Sequence, residues 1–139
     1  MPFFRPTISG ETKLPLFLSK ISAGFPSPAD DFVEDTIDIN EYLISNRPAT
    51  YLVRVTGNSM EGAAICEGDI LVVDASLKPS DQKIVVASVD GEFTVKRYCI
   101  GKEGIFLKAE NPEYEPIKIA STDEFFILGV VTGVVRKIK

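Results

Sequence analysis

Short apolar runs, each closed by a turn signal, fill the chain from residue 49 to residue 135. They are too short for ordinary helices and rich in Val, Ile, Phe and Tyr, a pattern typical of β-strands. The predicted strands span residues 51–55, 69–74, 83–89, 92–98, 105–107 and 125–135. Many short strands bury their apolar side chains by folding into a sheet or partial barrel. The sequence therefore predicts a mostly β body with at most one short helix.

Turn signals separate or interrupt these strands. Asp90-Gly91 joins two apolar runs and predicts a tight hairpin, because both central positions of such a turn need a positive φ. Gly129 and Gly133 lie inside the last predicted strand and indicate bends or bulges in it. Asn111-Pro112 predicts a further turn, after the run that ends at residue 107.

The N-terminal part of the chain has a different character. Five of the nine prolines fall within its first 28 residues, at Pro2, Pro6, Pro15, Pro26 and Pro28. Proline at this density opposes both helix formation and the pairing of strands in a ladder. We therefore expect an extended, loosely held arm that forms no ladder.

An acidic segment follows this arm. Six acidic residues and no basic residue lie between positions 30 and 41. They indicate either a solvated acidic surface, which is the simpler interpretation, or a surface that binds a partner. Within this segment, residues 38–41 resemble a capping box with Asp38 at the N-cap. We expect one short helix here, with Ile39 and Leu43 on one face, ending before Pro48.

Length and composition limit the class of protein. The 139 residues allow one domain, 45% of them are hydrophobic, and the formal net charge is -5. A negatively charged chain is poorly suited to neutralising phosphates, so we expect no direct, sequence-specific DNA binding. No apolar run approaches the roughly 18 residues of a membrane span, and the N-terminus lacks the apolar core of a signal peptide. We expect a cytoplasmic protein that is not attached to a membrane.

Histidine is absent from the sequence. Its absence excludes Ser-His and Cys-His nucleophile pairs and any zinc site built on histidine. The two cysteines, Cys66 and Cys99, supply at most half of a structural metal site, and we interpret them as reduced thiols. We predict no metal and no other cofactor. Any nucleophilic chemistry here needs a lysine, a carboxylate or the N-terminal amine as its base.

Two residues of the predicted β body are candidates for such chemistry. Ser59 follows a strand on a Gly57-Asn58 turn, which can expose its hydroxyl and leave backbone N–H groups free for an oxyanion, although a serine here is also ordinary turn chemistry. Lys96 lies inside a predicted strand. On a solvated face it would be an ordinary surface lysine, whereas among apolar side chains its pKa would fall and its neutral amine could act as a base. Alternation does not decide between these faces, because both contain apolar residues.

A third feature lies in the proline-rich arm. Ala23-Gly24 is a peptide bond with little steric hindrance, and the prolines that follow keep the chain extended, as a protease cleft requires. By itself this dipeptide indicates nothing.

Together these features resemble the UmuD/MucA family of SOS-mutagenesis proteins, a branch of the LexA-like serine peptidases. The matching segments are residues 23–29, 57–60, 67–69, 71–74 and 90–97, in the order of the family. The spacing between Ser59 and Lys96 also matches the wider LexA-like class of self-cleaving proteins.

The resemblance implies a fold, an activity and a site. The fold would be the LexA-like C-terminal peptidase domain. Ser59 would be the nucleophile and Lys96 the general base and acid, cutting the chain's own bond between Ala23 and Gly24. Backbone N–H groups around Ser59 would bind the oxyanion, and those of Ser59 and Met60 are the candidates. The chain would then divide into a cleavable arm (residues 1–23), a linker with the short helix (24–48) and the peptidase domain (49–139).

The resemblance also implies partners. In the family, a RecA filament on single-stranded DNA stimulates self-cleavage. Removal of the arm converts the homodimer into the form that joins a UmuC-type polymerase in translesion synthesis. This chain would therefore belong to the SOS response to DNA damage and act without a membrane.

Three other kinds of protein fit this sequence less well. A LexA-type repressor needs a helix-turn-helix domain before the cut, and only 23 proline-broken residues precede Gly24. A bacterial signal peptidase also uses Ser-Lys chemistry but carries a membrane anchor. A non-catalytic adaptor that regulates a polymerase would have no reason to retain both Ser59 and Lys96. The self-cleaving interpretation is therefore favoured.

Overall fold

The computed structural model describes residues 3–4, 13–17 and 33–139. The backbone forms two compact units, one of Thr7–Ser45 and one of Met1–Pro6 with Asn46–Lys139. The predicted cleavage motif around Ala23-Gly24 lies outside the described residues. The predicted division into arm, linker and peptidase domain stays a prediction.

In chain order the strands are β1 (Phe3–Phe4), β2 (Lys13–Phe17), β3 (Val33–Asp38), β4 (Thr50–Arg54), β5 (Ile70–Asp74), β6 (Ile84–Val89), β7 (Glu92–Gly101), β8 (Gly104–Lys108), β9 (Ile117–Lys118) and β10 (Phe125–Val135). The described part also contains one α-helix, α1 (Ile39–Leu43), and two 3-10 turns at Arg47–Ala49 and Glu61–Ala63. The predicted mostly β fold class is therefore confirmed.

The larger unit is built on one eight-stranded sheet in the order β1-β4-β5-β10-β6-β7-β8-β9. Every neighbouring pair in this sheet is antiparallel. The β6–β7 hairpin turns at Asp90 and Gly91, whose φ values of 49° and 84° are both positive, as the sequence predicted. Strand β7 is longer than predicted and continues to Gly101, because β8 pairs with its second half.

The long strand β10 joins the two halves of the sheet. It pairs with β6 through its first half and with β5 through its second half. Its register shifts between Ile127 and Gly129 and again between Val131 and Gly133, so the predicted irregularities are confirmed. A Cβ on Gly129 would lie 2.7 Å from the Asp74 carbonyl oxygen, which explains why this position needs glycine.

Buried side chains form two apolar clusters. One contains Val53, Val55, Met60, Ile65, Leu71, Val73, Val86 and Val95. The other contains Val85, Ala87, Tyr98, Leu107 and Val130. Consecutive residues of β6, such as Val85 and Val86, belong to different clusters, because successive side chains of a strand point to opposite faces. Both faces of the central strands are therefore covered, and this is why alternation did not predict the face of Lys96.

The smaller unit contains β2 paired antiparallel with β3, followed by α1. Our expectation that the proline-rich arm forms no ladder is wrong for residues 3–4, which pair with β4, and for residues 13–17, where Pro15 lies opposite Thr36. A two-stranded ladder leaves one side of each strand unpaired, so a proline whose nitrogen faces that side removes no ladder hydrogen bond. Asp38 caps α1 as predicted, because its Oδ1 accepts from the N–H groups of Asn40 and Glu41 at 2.9 and 3.3 Å.

None of the helices in the described ranges has the length and apolar character of a membrane span.

Candidate active site

The turn that carries Ser59 leaves the sheet after β4. The N–H of Val55 still donates to the carbonyl of Asp69, just before β5, at 2.9 Å. The backbone then reverses at Gly57, whose φ of 82° suits glycine. Met60 is only 2% exposed and belongs to the first apolar cluster. Burial of the residues on both sides thus anchors the turn and presents the half-buried Ser59 between them.

Lys96 lies in the middle of β7, opposite Val85 of β6. Its side chain is buried, with 8% of the residue exposed. The amine nitrogen Nζ lies 3.0 Å from Ser59 Oγ, 2.8 Å from Thr94 Oγ1 and 3.1 Å from the Val95 carbonyl oxygen. The structure therefore brings together the two side chains that the sequence singled out in separate segments.

The electrostatic setting of Lys96 favours its neutral form. Burial lowers the pKa of the Lys96 amine below its ordinary value, because the charged form loses hydration. Within the described part of the chain, no carboxylate lies within ion-pair distance of this amine. A neutral amine has two N–H groups and one lone pair, and the Val95 carbonyl can only accept. Lys96 can therefore donate to Val95 and Thr94 while its lone pair accepts the hydroxyl hydrogen of Ser59.

A small cavity opens beside the Ser59 hydroxyl. Its volume is about 120 Å³, and its lining comprises Val55, Thr56, Ser59, Met60, Phe93, Thr94 and Val95. Because a water molecule in the liquid occupies about 30 Å³, this space fits a small side chain. A larger cavity of about 740 Å³ lies between residues 66–70 and 135–139, and neither Ser59 nor Lys96 lines it.

The predicted oxyanion groups are the backbone N–H groups of Ser59 and Met60. Within the described residues, neither group donates a hydrogen bond, whereas their carbonyl oxygens are engaged: Ser59 O accepts from Glu110 N–H and Met60 O accepts from Ala63 and Ile65. Free N–H groups next to a nucleophile are suited to binding a developing oxyanion.

Two features of this site were not predicted from the sequence. Thr94 is one of them, and its position two residues before Lys96 in a strand places it on the same face, a signal that could have found it. The other is the segment after β8, where the backbone of Glu110 bonds to that of Ser59. The sequence predicted only a turn at Asn111-Pro112, which the structure confirms through the hydrogen bond from Tyr114 N–H to Asn111 O at 3.1 Å.

Metal-binding side chains do not gather near this site. In the part of the chain that the structure describes, no group of three or more His, Cys, Asp or Glu residues could hold a metal ion. Cys66 is exposed and Cys99 is buried, and both are free thiols.

The comparison with protein families decides where this chain belongs. The family model described as "Peptidase S24-like" matches residues 15–132. The chain belongs to the peptidase S24-like family. This is a family of self-cleaving serine peptidases, and its LexA-like fold agrees with the mostly antiparallel sheet seen here.

Individual relatives of this S24 chain agree with that assignment. The protein ImpA of Salmonella typhimurium is 41% identical over 124 residues, covering 88% of this chain and 83% of ImpA. The protein MucA of Escherichia coli is 50% identical over 87 residues, covering 63% of this chain and 60% of MucA. A LexA repressor from Acidithiobacillus ferrooxidans is 43% identical over 129 residues, covering 91% of this chain and 62% of the repressor. The resemblance to the UmuD/MucA branch is confirmed.

Proposed function

We propose that this chain cuts its own Ala23–Gly24 bond, with Ser59 as nucleophile and Lys96 as general base and acid. The observation that carries the proposal is the 3.0 Å contact between Lys96 Nζ and Ser59 Oγ. A lysine that is buried, has a lowered pKa and touches a serine hydroxyl meets the chemical requirements of a base for that hydroxyl. Membership in a family of self-cleaving peptidases supports the same activity.

The first step forms the acyl-enzyme. Ser59 Oγ attacks the carbonyl carbon of Ala23 while Lys96 Nζ takes the hydroxyl proton. The carbonyl oxygen becomes an oxyanion, which the free N–H groups of Ser59 and Met60 stabilise. The intermediate collapses by breaking the bond to the Gly24 nitrogen, and Lys96 returns the proton to that nitrogen as the amine leaves.

The second step releases the arm. A water molecule attacks the ester between Ser59 Oγ and Ala23, and neutral Lys96 accepts a proton from this water. Breaking the ester returns that proton to Ser59 Oγ and leaves Ala23 with a free carboxyl group, which releases the second proton of the water to solvent. The products are residues 1–23 and residues 24–139. Ser59 and Lys96, the catalytic dyad, are back in their original protonation states.

The test is the intact mass of the purified chain after incubation at pH 10, beside a Ser59→Ala control. We expect a product spanning residues 24–139 from the unchanged chain and none from the control. A product of the same mass from the Ser59→Ala chain would remove Ser59 from the mechanism. Cleavage at another bond would contradict the assignment of the Ala23–Gly24 bond as the cleavage site.

The same proposal extends to regulation and partners. It assigns stimulation by a RecA filament on single-stranded DNA, action as a homodimer, and association of the cut dimer with a UmuC-type polymerase in error-prone translesion synthesis. The support is the resemblance to the UmuD/MucA family and the similarity to ImpA and MucA. A filament can accelerate the reaction by favouring the state in which the arm occupies the cleft and Lys96 is neutral.

This extension has its own test at neutral pH. The chain is incubated with RecA, single-stranded DNA and a slowly hydrolysed nucleotide, and the mass of the product is measured. Faster release of residues 24–139 than without RecA supports the partnership. Cleavage at pH 10 without any effect of RecA would retain the dyad and remove RecA from the proposal.

A further inference from the structure

Two backbone hydrogen bonds connect the turn carrying Ser59 to the segment that follows β8. The N–H of Glu110 donates to the Ser59 carbonyl at 2.9 Å, and the N–H of Gly62 donates to the Glu110 carbonyl at 2.7 Å. These two backbone segments approach so closely that a Cβ on Gly62 would lie 2.6 Å from Glu110 O. The backbone of Glu110 thus bonds to the turn on both sides of Met60.

Side chains of the same segment hold the residue before the nucleophile. Asn111 Nδ2 donates to the Asn58 carbonyl at 3.0 Å, and the Tyr114 hydroxyl donates to Asn58 Oδ1 at 2.7 Å. We call residues 110–114 the brace. The Ser59 turn forms no ladder of its own, and four hydrogen bonds join it to the brace.

Arg97 connects the brace to the strand that carries Lys96. Its Nε donates to Glu110 Oε1 at 2.5 Å, and its Nη1 donates to the Gln82 carbonyl at 2.7 Å. Arg97 directly follows Lys96 in β7, so any movement of the strand at Lys96 also moves Arg97. The nucleophile and the base are therefore linked by a second route, separate from their own contact.

We propose that the Arg97–Glu110 ion pair positions Ser59 against Lys96, by fixing the brace to β7. The inference rests on the proposed function, because positioning matters only if these two side chains react. Neither charged group touches the reacting atoms, so Arg97 and Glu110 are positioning residues. Their effect passes through the backbone bond between Glu110 and Ser59.

Loss of this ion pair should change the reaction more than the fold. The two side chains are 27% and 34% exposed, and ion pairs in such positions contribute little to folding. A nucleophile displaced by a fraction of an ångström, in contrast, reacts much more slowly. We expect Arg97→Gln and Glu110→Gln each to lower the maximal rate of self-cleavage about tenfold.

The experiment measures the rate of self-cleavage against pH for these two variants and for the exchanged pair Arg97→Glu/Glu110→Arg. We expect each single variant to lower the alkaline plateau without moving the midpoint, and the exchanged pair to recover at least half of the loss. Lys108→Gln is the matched control, because Lys108 lies opposite Arg97 in the β7–β8 ladder and carries the same charge. It should cleave at the unchanged rate.

Two results would overturn the proposal. One is a wild-type plateau in both single variants. The other is a lower rate in Glu110→Gln accompanied by a midpoint shifted to higher pH: loss of a negative charge cannot raise the pKa of Lys96, so that shift would mean that water reaches Lys96 through a generally loosened structure.

A second measurement separates this proposal from the proposed function. In a Ser59→Ala background, where cleavage is not expected, hydrogen exchange of the Gly62 N–H reports on its bond to Glu110. Arg97→Gln should accelerate this exchange at least tenfold while amides of the β5–β10 ladder stay protected. Unchanged Gly62 exchange would overturn the role of the pair, even if self-cleavage is established. Accelerated exchange, together with no cleavage by the chain that retains Ser59, would support the positioning and contradict the proposed chemistry.

Discussion

Thr94 Oγ1 lies 2.8 Å from Lys96 Nζ, and the two residues share one face of β7 because they are two positions apart. The Val95 carbonyl accepts a second hydrogen bond from the same nitrogen at 3.1 Å. These two acceptors leave one tetrahedral position of the amine facing Ser59 Oγ. The strand that carries the base therefore also supplies the groups that orient it.

Thr94→Val should lower the rate of self-cleavage about tenfold, because the amine loses an acceptor that orients it. That acceptor also stabilises the charged form, so its removal should lower the pKa of Lys96 further and move the midpoint of the pH–rate profile downward. Thr94→Ser retains the hydroxyl and is the matched control. A Thr94→Val chain with an unchanged plateau would show that the Lys96–Ser59 contact needs no help from the neighbouring hydroxyl.

Self-cleavage without RecA should accelerate as the pH rises from 7 toward 10. The neutral fraction of Lys96 increases with pH, and burial lowers its pKa, so the midpoint of the rise in rate should lie below the ordinary lysine value of about 10.4. The measurement is the rate of appearance of residues 24–139 by mass spectrometry. A rate that stays flat between pH 7 and pH 10 contradicts the assignment of Lys96, as does cleavage by Lys96→Ala.

Lys96→Met should stabilise the fold at pH 7 by about 1 kcal/mol, while abolishing cleavage. The folded pKa of this lysine lies below its unfolded pKa, so the folded state binds fewer protons between the two values and stability rises with pH there. Below the folded pKa the penalty of the buried charge is fully present. The measurement is urea unfolding of uncleavable Ser59→Ala chains, with and without Lys96→Met. The difference in their free energies of unfolding should therefore decrease from pH 7 to pH 10. A constant difference would assign the effect to packing alone.

Arg136→Gln should destabilise the chain by about 2 kcal/mol at pH 7. Asp69 is 2% exposed, and its carboxylate accepts from Arg136 at 2.6 and 2.7 Å and from the Cys66 N–H at 2.8 Å. The hydrogen bond from Arg136 lowers the pKa of Asp69 most, so this stabilisation is present above the ordinary aspartate pKa of about 3.9 and is lost as the pH falls through the folded value.

The measurement for this pair is urea unfolding at pH 7 and at pH 3. The difference in the free energy of unfolding between the unchanged chain and Arg136→Gln should be smaller at pH 3 than at pH 7. Arg54→Gln is the matched control, because among the described residues Arg54 donates only to the carbonyl of Gly68, which precedes Asp69. If both variants lost the same free energy of unfolding, the ion pair with Asp69 would contribute nothing to stability.

Local signals in the sequence predicted much of the fold. Residues 83–98 form a hairpin that turns at Asp90-Gly91, because positive φ at two successive positions selects such residues, and this preference does not depend on the rest of the chain. The cap at Asp38 is equally local, since it joins residues two and three positions apart. The pairing of residues 13–17 in a ladder was not predicted, because the proline content of a strand does not say whether a proline nitrogen faces the partner strand or the unpaired side.

Residue type and spacing in the sequence determined which side chains could react, because without histidine only a few groups can activate a serine. The tertiary structure alone decided that Lys96 is buried, since both faces of β7 contain apolar residues and alternation along the strand does not distinguish them. It also decided that Glu110 holds this turn and that Arg97 holds Glu110. Contacts between residues so far apart in the chain depend on how the strands pair, and no local preference specifies that pairing.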